Sequence, residues 1–419
     1  AAGRIAAAAL ALSCALVIPS GSAQGSSRPR GTPLSFPNPA ALARSAFPGG
    51  EGPVPHGREA QERTIDLSDV ESALDYRTDE PDLPAFLGNE AVALERALAG
   101  FLRSSGTALR PDGRLGLMAR WARRHLGPGN TLPPQSAFDV LARRLGLAEP
   151  IPHLVVVEAS GAPRLADVLS ARLRGVLDPA DYTHVGGFAE SDVRRAVVVI
   201  ALSRRRLTLS PVPRNLPKPG RLRIEGRLIG AFTGSELSHT RPGGGTELSG
   251  LSEGPDFGAT VDLSETGRHR LEIIAHGPGG PSVVANFPVF VGIDVDQSVG
   301  AAAVRGAVLP PGRVRDRILE LIDAARADAG LAPVAFDPEL AAVALGHSED
   351  MSANGFVSHV SPTTGTMEDR LRRAGVMTHL ALENVGRGYD PDEIHRGFMD
   401  SPGHRAAVLL EGATHVGLG

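Results

Sequence analysis

Three short stretches near the end of the chain carry the side chains best suited to chemistry: Ser358-His359, Glu383-Asn384 and Ser401-Pro402-Gly403-His404. Two imidazoles and a carboxylate are competent ligands for a divalent metal, and that mixture favours Zn²⁺. The spacing is long, so sequence pattern alone does not bring the three together. The plainer alternative is a hydrogen-bonded network, because a His-Glu-His cluster satisfies its own donors and acceptors. In either role the histidines change charge near neutral pH.

Other chemistry is poorly supported. Ser401 near His404 and Glu383 invites a triad reading, but Ser-Pro-Gly-His lacks the strained elbow that exposes a nucleophile. Pro402 more simply makes a turn and a helix entry. His347 falls on an apolar helix face and is expected to be buried and satisfied. Trp121 reads as core, and Arg143-Arg144 and Arg204-Arg205-Arg206 as solvated faces or strand ends. The single cysteine, Cys14, lies in an N-terminal apolar stretch. Disulfides, a thiolate metal site and a cysteine nucleophile are therefore not expected in a mature chain.

The elements that position these residues follow from composition and periodicity. The chain has 419 residues, of which 42% are hydrophobic, enough for about two or three domains. Lys and Arg number 43 against 47 Asp and Glu, so no electrostatic case for nucleic acid arises. Arg4, the apolar run at 5–18 and Ser20-Gly21-Ser22-Ala23 read as a leader over residues 1–23, cleaved after Ala23. A lipidated Cys14 and an uncleaved anchor are the alternatives. No later stretch is long and apolar enough for a membrane helix. Residues 24–62, rich in Ser, Pro, Gly and Arg, read as a disordered spacer.

Residues 63–214 mix helical stripes, such as Leu94, Ala97, Leu98, Phe101 and Leu102, with Val-rich strand runs, which predicts an α+β domain. Residues 218–292 alternate with period two between Gly/Pro turns and predict a small Ig-like β-sandwich. A linker at 293–312 leads to the last region, 313–419. There Val314, Ile318, Leu321, Ile322 and Ala325 form one helical stripe stopped by Gly330. Asp337-Pro338 opens a second helix whose buried face is Leu340, Ala344, His347 and Met351. Thr366 and Asp369 form an approximate capping box, and Asp390, Pro391 and Glu393 open a further helix that buries Ile394 and Phe398.

Six motifs in this last region, in order, resemble a bacterial CAP (SCP-like) domain. They are Ala324–Val334, with Arg326 and Gly330-Leu331; His347-Ser348-Glu349-Asp350-Met351; Ser358-His359-Val360-Ser361-Pro362; Glu383-Asn384-Val385-Gly386; Phe398–Arg405, with Ser401-Pro402-Gly403-His404; and His415-Val416-Gly417-Leu418-Gly419. The resemblance implies a three-layer α-β-α sandwich whose last strand would follow Gly419. It also implies that His359, Glu383 and His404 face one cleft and hold Zn or another divalent metal weakly. Asp400 or Glu393 is an additional acid, and Asn384 and Ser401 support the cleft. The family's second acid is replaced here by Ser401-Pro402-Gly403. In the N-terminal region, Tyr182–Gly187 echoes Thr414–Gly419, and Arg114–His125 echoes Glu339–Met351, but the His, Glu-Asn and Ser-Pro-Gly-His motifs have no match there, so a degenerate CAP-like copy and a chance likeness of short Val-Gly stretches are both open.

The expected protein is secreted or associated with the cell envelope, multidomain and non-enzymatic. Its CAP cleft would bind a small apolar ligand, a glycan or an extracellular protein. A metal-dependent hydrolase acting on envelope polymer or peptide is the alternative. A structural or adhesive surface protein is the third reading.

Overall fold

The computed structural model describes residues 10–19, 67, 70–105, 108–127, 130, 132–133, 135–160, 169, 182–192, 195–243, 245–278, 280–293, 311–354, 357–388 and 391–419. The proposed spacer and nearly all of the proposed linker lie outside them. Helices and strands are both abundant, as an α+β reading requires. The chain divides into two compact units. The described part of one is residues 67–293, and of the other, 10–19 and 311–419.

The first element in the chain is strand β1, Leu10–Pro19. The first unit then opens with β2 (Asp75–Tyr76), β3 (Phe86–Leu87), helix α1 (Ala91–Ser105), β4 (Arg110–Pro111), α2 (Gly113–Arg124) and α3 (Gln135–Arg144). Strands β5 (His153–Ser160), β6 (His184–Ser191) and β7 (Arg195–Ser203) follow. They form a sheet in the order β3-β6-β7-β5, with β4 also pairing β6. Side chains of β7 alternate between two apolar cores. Val199 and Ala201 meet Leu115, Met118, Trp121 and Leu141, whereas Val198, Ile200 and Leu202 meet Leu94, Leu98 and Phe101. A strand buried on both faces must be apolar at every position, which is why β7 reads as a Val-rich run.

The rest of this unit is β-structure: β8 (Leu207–Leu209), β9 (Val212–Pro213), β10 (Asn215–Leu216), β11 (Gly220–Leu228), β12 (Gly234–Thr240), β13 (Thr246–Ser252), β14 (Asp256–Leu263), β15 (Gly267–Gly277) and β16 (Gly280–Val291). One sheet runs β14-β11-β8 and another β10-β16-β15-β12-β13. Inward residues of both, among them Ile224 and Leu263 from one and Ile273 and Phe287 from the other, share a single apolar core. The period-two alternation of the sequence places them there.

The second unit contains α4 (Pro311–Asp328), β17 (Ala335–Phe336), α5 (Pro338–Asn354), α6 (Met367–Arg373), β18 (Thr378–Gly388), α7 (Pro391–Asp400), α8 (Pro402–Val408) and β19 (His415–Leu418). Gly330, at φ +73°, supplies the left-handed conformation just beyond α4. The Asp337 carboxylate accepts the backbone N–H groups of Glu339 and Leu340 and starts α5. Leu340, Ala344, His347 and Met351 are buried along that helix. Its sheet has the order β17-β19-β1-β18.

Strand β1 departs from the sequence reading. Residues 10–18, taken as the apolar heart of a leader, pair antiparallel with β18 on one side and, at Cys14–Val17, with β19 on the other. An unbroken apolar run suits a central strand as well as a leader, so hydropathy alone does not separate the two.

Arg326 fastens the C-terminal end of this unit. It is fully buried in the last turn of α4. Its guanidinium donates to the carbonyls of Ala332, Val408, Leu410 and Ala413 at 2.8–3.1 Å. Val408, Leu410 and Ala413 flank the turn that leads into β19, and Ala332 lies just ahead of β17. Arg326→Met keeps the volume but leaves the buried carbonyls without their donor. We expect a loss of at least about 3 kcal/mol in the unfolding free energy of this unit, read by urea denaturation.

Candidate functional site

The site is assembled by α5, the loop from Val357 to Thr366, α6, β18, and the pair α7 and α8. His347, on the buried face of α5, donates from Nε2 to the Ser358 carbonyl at 2.9 Å and so holds the start of the loop. One turn further on, the Asp350 carboxylate accepts the hydroxyls of Ser361, Thr363 (2.7 Å) and Thr364 (3.2 Å), and Asn354 Nδ2 at 2.7 Å. Burial works against the Asp350 charge, but these donors outweigh it and hold the carboxyl below its usual range. A capping box at Thr366 and Asp369 then starts α6.

Helix α6 sends Arg370 inward, next to the core residue Leu371. Arg370 Nη1 donates to the carbonyls of His359 (3.2 Å) and Gly365 (2.9 Å), which closes the loop. Its Nη2 lies 2.7 Å from Glu383 Oε1. The other carboxylate oxygen, Oε2, lies 3.0 Å from His359 Nδ1. Glu383 and Arg370 side chains are each 5% exposed, and His359 is 26% exposed. Burial raises the Glu383 pKa, but the His359 hydrogen bond and the Arg370 charge outweigh it and leave the group ionised below its usual range. An ionised carboxylate only accepts, so His359 Nδ1 carries the proton. In the neutral ring, Nε2 is then the free acceptor.

Asn384, buried beside Glu383 on β18, donates from Nδ2 to the His404 carbonyl at 2.9 Å. The His404 ring lies 5.2 Å from the Phe398 ring, tilted by 35°. Burial, reinforced by the nearby charge of His359, pushes the His404 pKa down to about 4. Gly386 lets α7 come close, because a Cβ there would stand 2.9 Å from the Phe398 ring. Ser401 is buried and begins α8, but its side chain makes no cap hydrogen bond there. Glu393 and Asp400 lie on α7, and their side chains are outside the described residues.

His359 and Glu383 are thus in direct contact, and His404 is joined to the same strand through Asn384. Sequence reasoning missed Arg370 and the hub at Asp350. No local signal marks Arg370: adjacent residues on a helix point about 100° apart, so its place before the core residue Leu371 does not turn it inward.

With this geometry in place, likeness to known proteins becomes informative. The model of the cysteine-rich secretory protein family, CAP, matches residues 319–419. Those residues are a CAP domain. The chain is also similar to the uncharacterized membrane protein YlbC of Bacillus subtilis, with 38% identity over 128 residues, 27% of this chain and 37% of that protein. The uncharacterized protein YkwD of the same organism is 35% identical over 104 residues, covering 25% of this chain and 40% of the relative. The chain therefore spans about two fifths of the length of these curated relatives. Among solved structures, an extracellular protein containing a SCP domain from Bacillus anthracis aligns at 20% identity and TM-score 0.25, covering 51% of this chain and 82% of that one. Fibronectin(III)-like modules of Clostridium thermocellum CbhA align at 18% identity and TM-score 0.16, covering 21% of this chain and 99% of theirs.

The CAP domain's donor set does not fit a divalent cation. Both Glu383 oxygens are committed, one of them to a guanidinium 2.7 Å away that would repel the ion. Among the described residues, no group of three or more His, Cys, Asp or Glu comes together in a metal-holding arrangement. Glu383 orients His359 here.

The His404 shift fixes a pH dependence. The unfolded chain binds this proton near pH 6.5, whereas the folded domain takes it up only near pH 4. Stability from this residue is therefore complete above about pH 6.5 and is lost as pH falls toward 4. Comparing urea unfolding at pH 7 and pH 4.5, His404→Gln should lose less stability than the parent, by up to about 3 kcal/mol.

Proposed function

We propose that the CAP domain is a ligand-binding module of a secreted or envelope-associated protein, and that it works without a metal ion. The observation that carries this reading is the Glu383 carboxylate, shared between Arg370 and His359. The clamp fixes the tautomer of His359 and the path of its loop before any ligand arrives. His404 is uncharged at neutral pH and lies against Phe398. An apolar ring pair beside one polar, orientable imidazole suits a small ligand with an apolar body and a hydrogen-bonding group. No helix among the described residues is long and apolar enough to cross a membrane.

One feature favours a hydrolase as the second reading. A carboxylate-oriented histidine is the arrangement a general base requires, and His359 Nε2 is the nitrogen that could take a proton from water. The β-structured region of the first unit supports the third, adhesive reading, in which surface contacts are made outside the CAP domain.

The test uses the full chain purified without detergent. Organic extraction and mass spectrometry should recover a small apolar species from the parent, reduced at least fivefold in His359→Leu and His404→Asp. Zn²⁺ titration calorimetry should show no stoichiometric site in any of the three. Uptake of one Zn²⁺ per chain by the parent alone would replace this reading with the metal-dependent one.

A further inference from the structure

Taken separately, each unit contains six elements that follow in the same order: α1, β4, α2, α3, β5 and β6 in the first, and α4, β17, α5, α6, β18 and β19 in the second, where α7 and α8 also lie between β18 and β19. The match continues at the level of atoms. Arg110 N–H donates to Thr183 O at 2.9 Å, and Ala335 N–H to Thr414 O at 2.8 Å. Asp112 N–H donates to Val185 O at 2.9 Å, and Asp337 N–H to Val416 O at 2.8 Å. Thr183 Oγ1 lies 2.8 Å from His184 Nδ1, and Thr414 Oγ1 lies 2.8 Å from His415 Nδ1. A Cβ on Gly186 would stand 2.3 Å from the Gly116 nitrogen, and one on Gly417 would stand 2.2 Å from the Leu340 carbonyl carbon. In both units, then, a strand glycine admits the first turn of the helix that an Asp caps.

Register carries the equivalence across each sheet. β7 lies between β6 and β5, antiparallel to both, with Ala201 opposite Gly186 and Leu154, and Ile200 opposite Gly187 and Val155. β1 lies between β19 and β18, antiparallel to both, with Ala15 opposite Gly417 and Glu383, and Cys14 opposite Leu418 and Asn384. Placing Gly186 on Gly417 puts Ala201-Leu202 on Ala15-Leu16, the same two residue types. It also puts Leu154-Val155 on Glu383-Asn384. Leu154 and Val155 are both buried, one in each of the two cores that flank their sheet.

We infer that residues 91–203 are a second copy of the CAP fold whose cleft floor has become apolar packing, and that the place between β18 and β19 accepts a strand of the β7 pattern. The polar pair Glu383-Asn384 has no counterpart in the copy, so the copy does not duplicate the His359 cleft. Its central strand arrives by a hairpin from β6. The CAP sheet takes its central strand from residues 10–19, in the same direction and register. What both positions require is fixed by geometry: an apolar strand, antiparallel to both neighbours, with a small residue opposite the conserved-geometry glycine.

Hydrogen exchange on three forms of the full chain tests this. Removing residues 1–23 should speed exchange in β18 and β19 at least tenfold. Appending residues 189–203 after Gly419 of that shortened chain places a β6–β7 hairpin where β19 ends, and should restore protection of both strands. The same graft carrying Val199→Asp and Ile200→Asp should not. The inference is overturned if the shortened chain keeps its protection, if the graft leaves β18 and β19 exposed, or if the charged graft restores them equally.

Discussion

A carboxylate buried as deeply as Glu383 stays ionised only where its charge is answered, and Arg370 answers it at 2.7 Å. The positions of His359 and its loop follow from that contact. The same guanidinium holds the carbonyls of His359 and Gly365, so the ion pair ties β18, α6 and the loop that precedes α6 together. The second carboxylate oxygen then selects the protonated nitrogen of His359. Taking a charged pair out of water is costly, and losing one partner leaves a buried charge without compensation. The arrangement is therefore strict: Arg370 cannot leave without disturbing the loop, the strand and the histidine together.

The same rule operates twice more in the CAP domain. Asp350 gathers hydroxyl groups from Ser361, Thr363 and Thr364, and so gives the irregular loop a fixed centre. Arg326 gathers three carbonyls around the turn before β19 and a fourth, of Ala332, ahead of β17. In each case one charged side chain satisfies backbone or hydroxyl groups that no regular ladder reaches. These three hubs explain how a domain with short strands and long connections, and with no disulfide among its described residues, holds its shape.

Local rules made much of this legible. Asp337-Pro338 announced α5, Gly330 announced the end of α4, and the apolar spacing named the residues that α5 buries. The motif match pointed to His359, Glu383 and His404, and the structure joins the first two directly. What stayed hidden depends on long-range pairing. An arginine on a short helix looks solvated until the sheet beneath it presents a carboxylate, so the sequence does not mark Arg370 and leaves Glu383 open between a metal ligand and a network member. Residues 10–18 illustrate a different limit. Hydropathy reports that a segment avoids water, not whether a leader-binding surface or a sheet removes it.

The first unit bears on why β18 carries the polar pair Glu383 and Asn384. Its sheet has the same strand order and directions, the same glycine approach and the same capped helix, yet Leu154 and Val155 occupy the positions of Glu383 and Asn384. The fold therefore stands with apolar residues on that strand, and apolar burial there stabilises without the desolvation cost of an ion pair. Glu383, Arg370 and His359 are not needed to build the sheet. A purely architectural role would favour the cheaper apolar solution that the other unit adopts. What Glu383 adds to the strand is an oriented imidazole, His359, held through a carboxylate whose charge Arg370 answers.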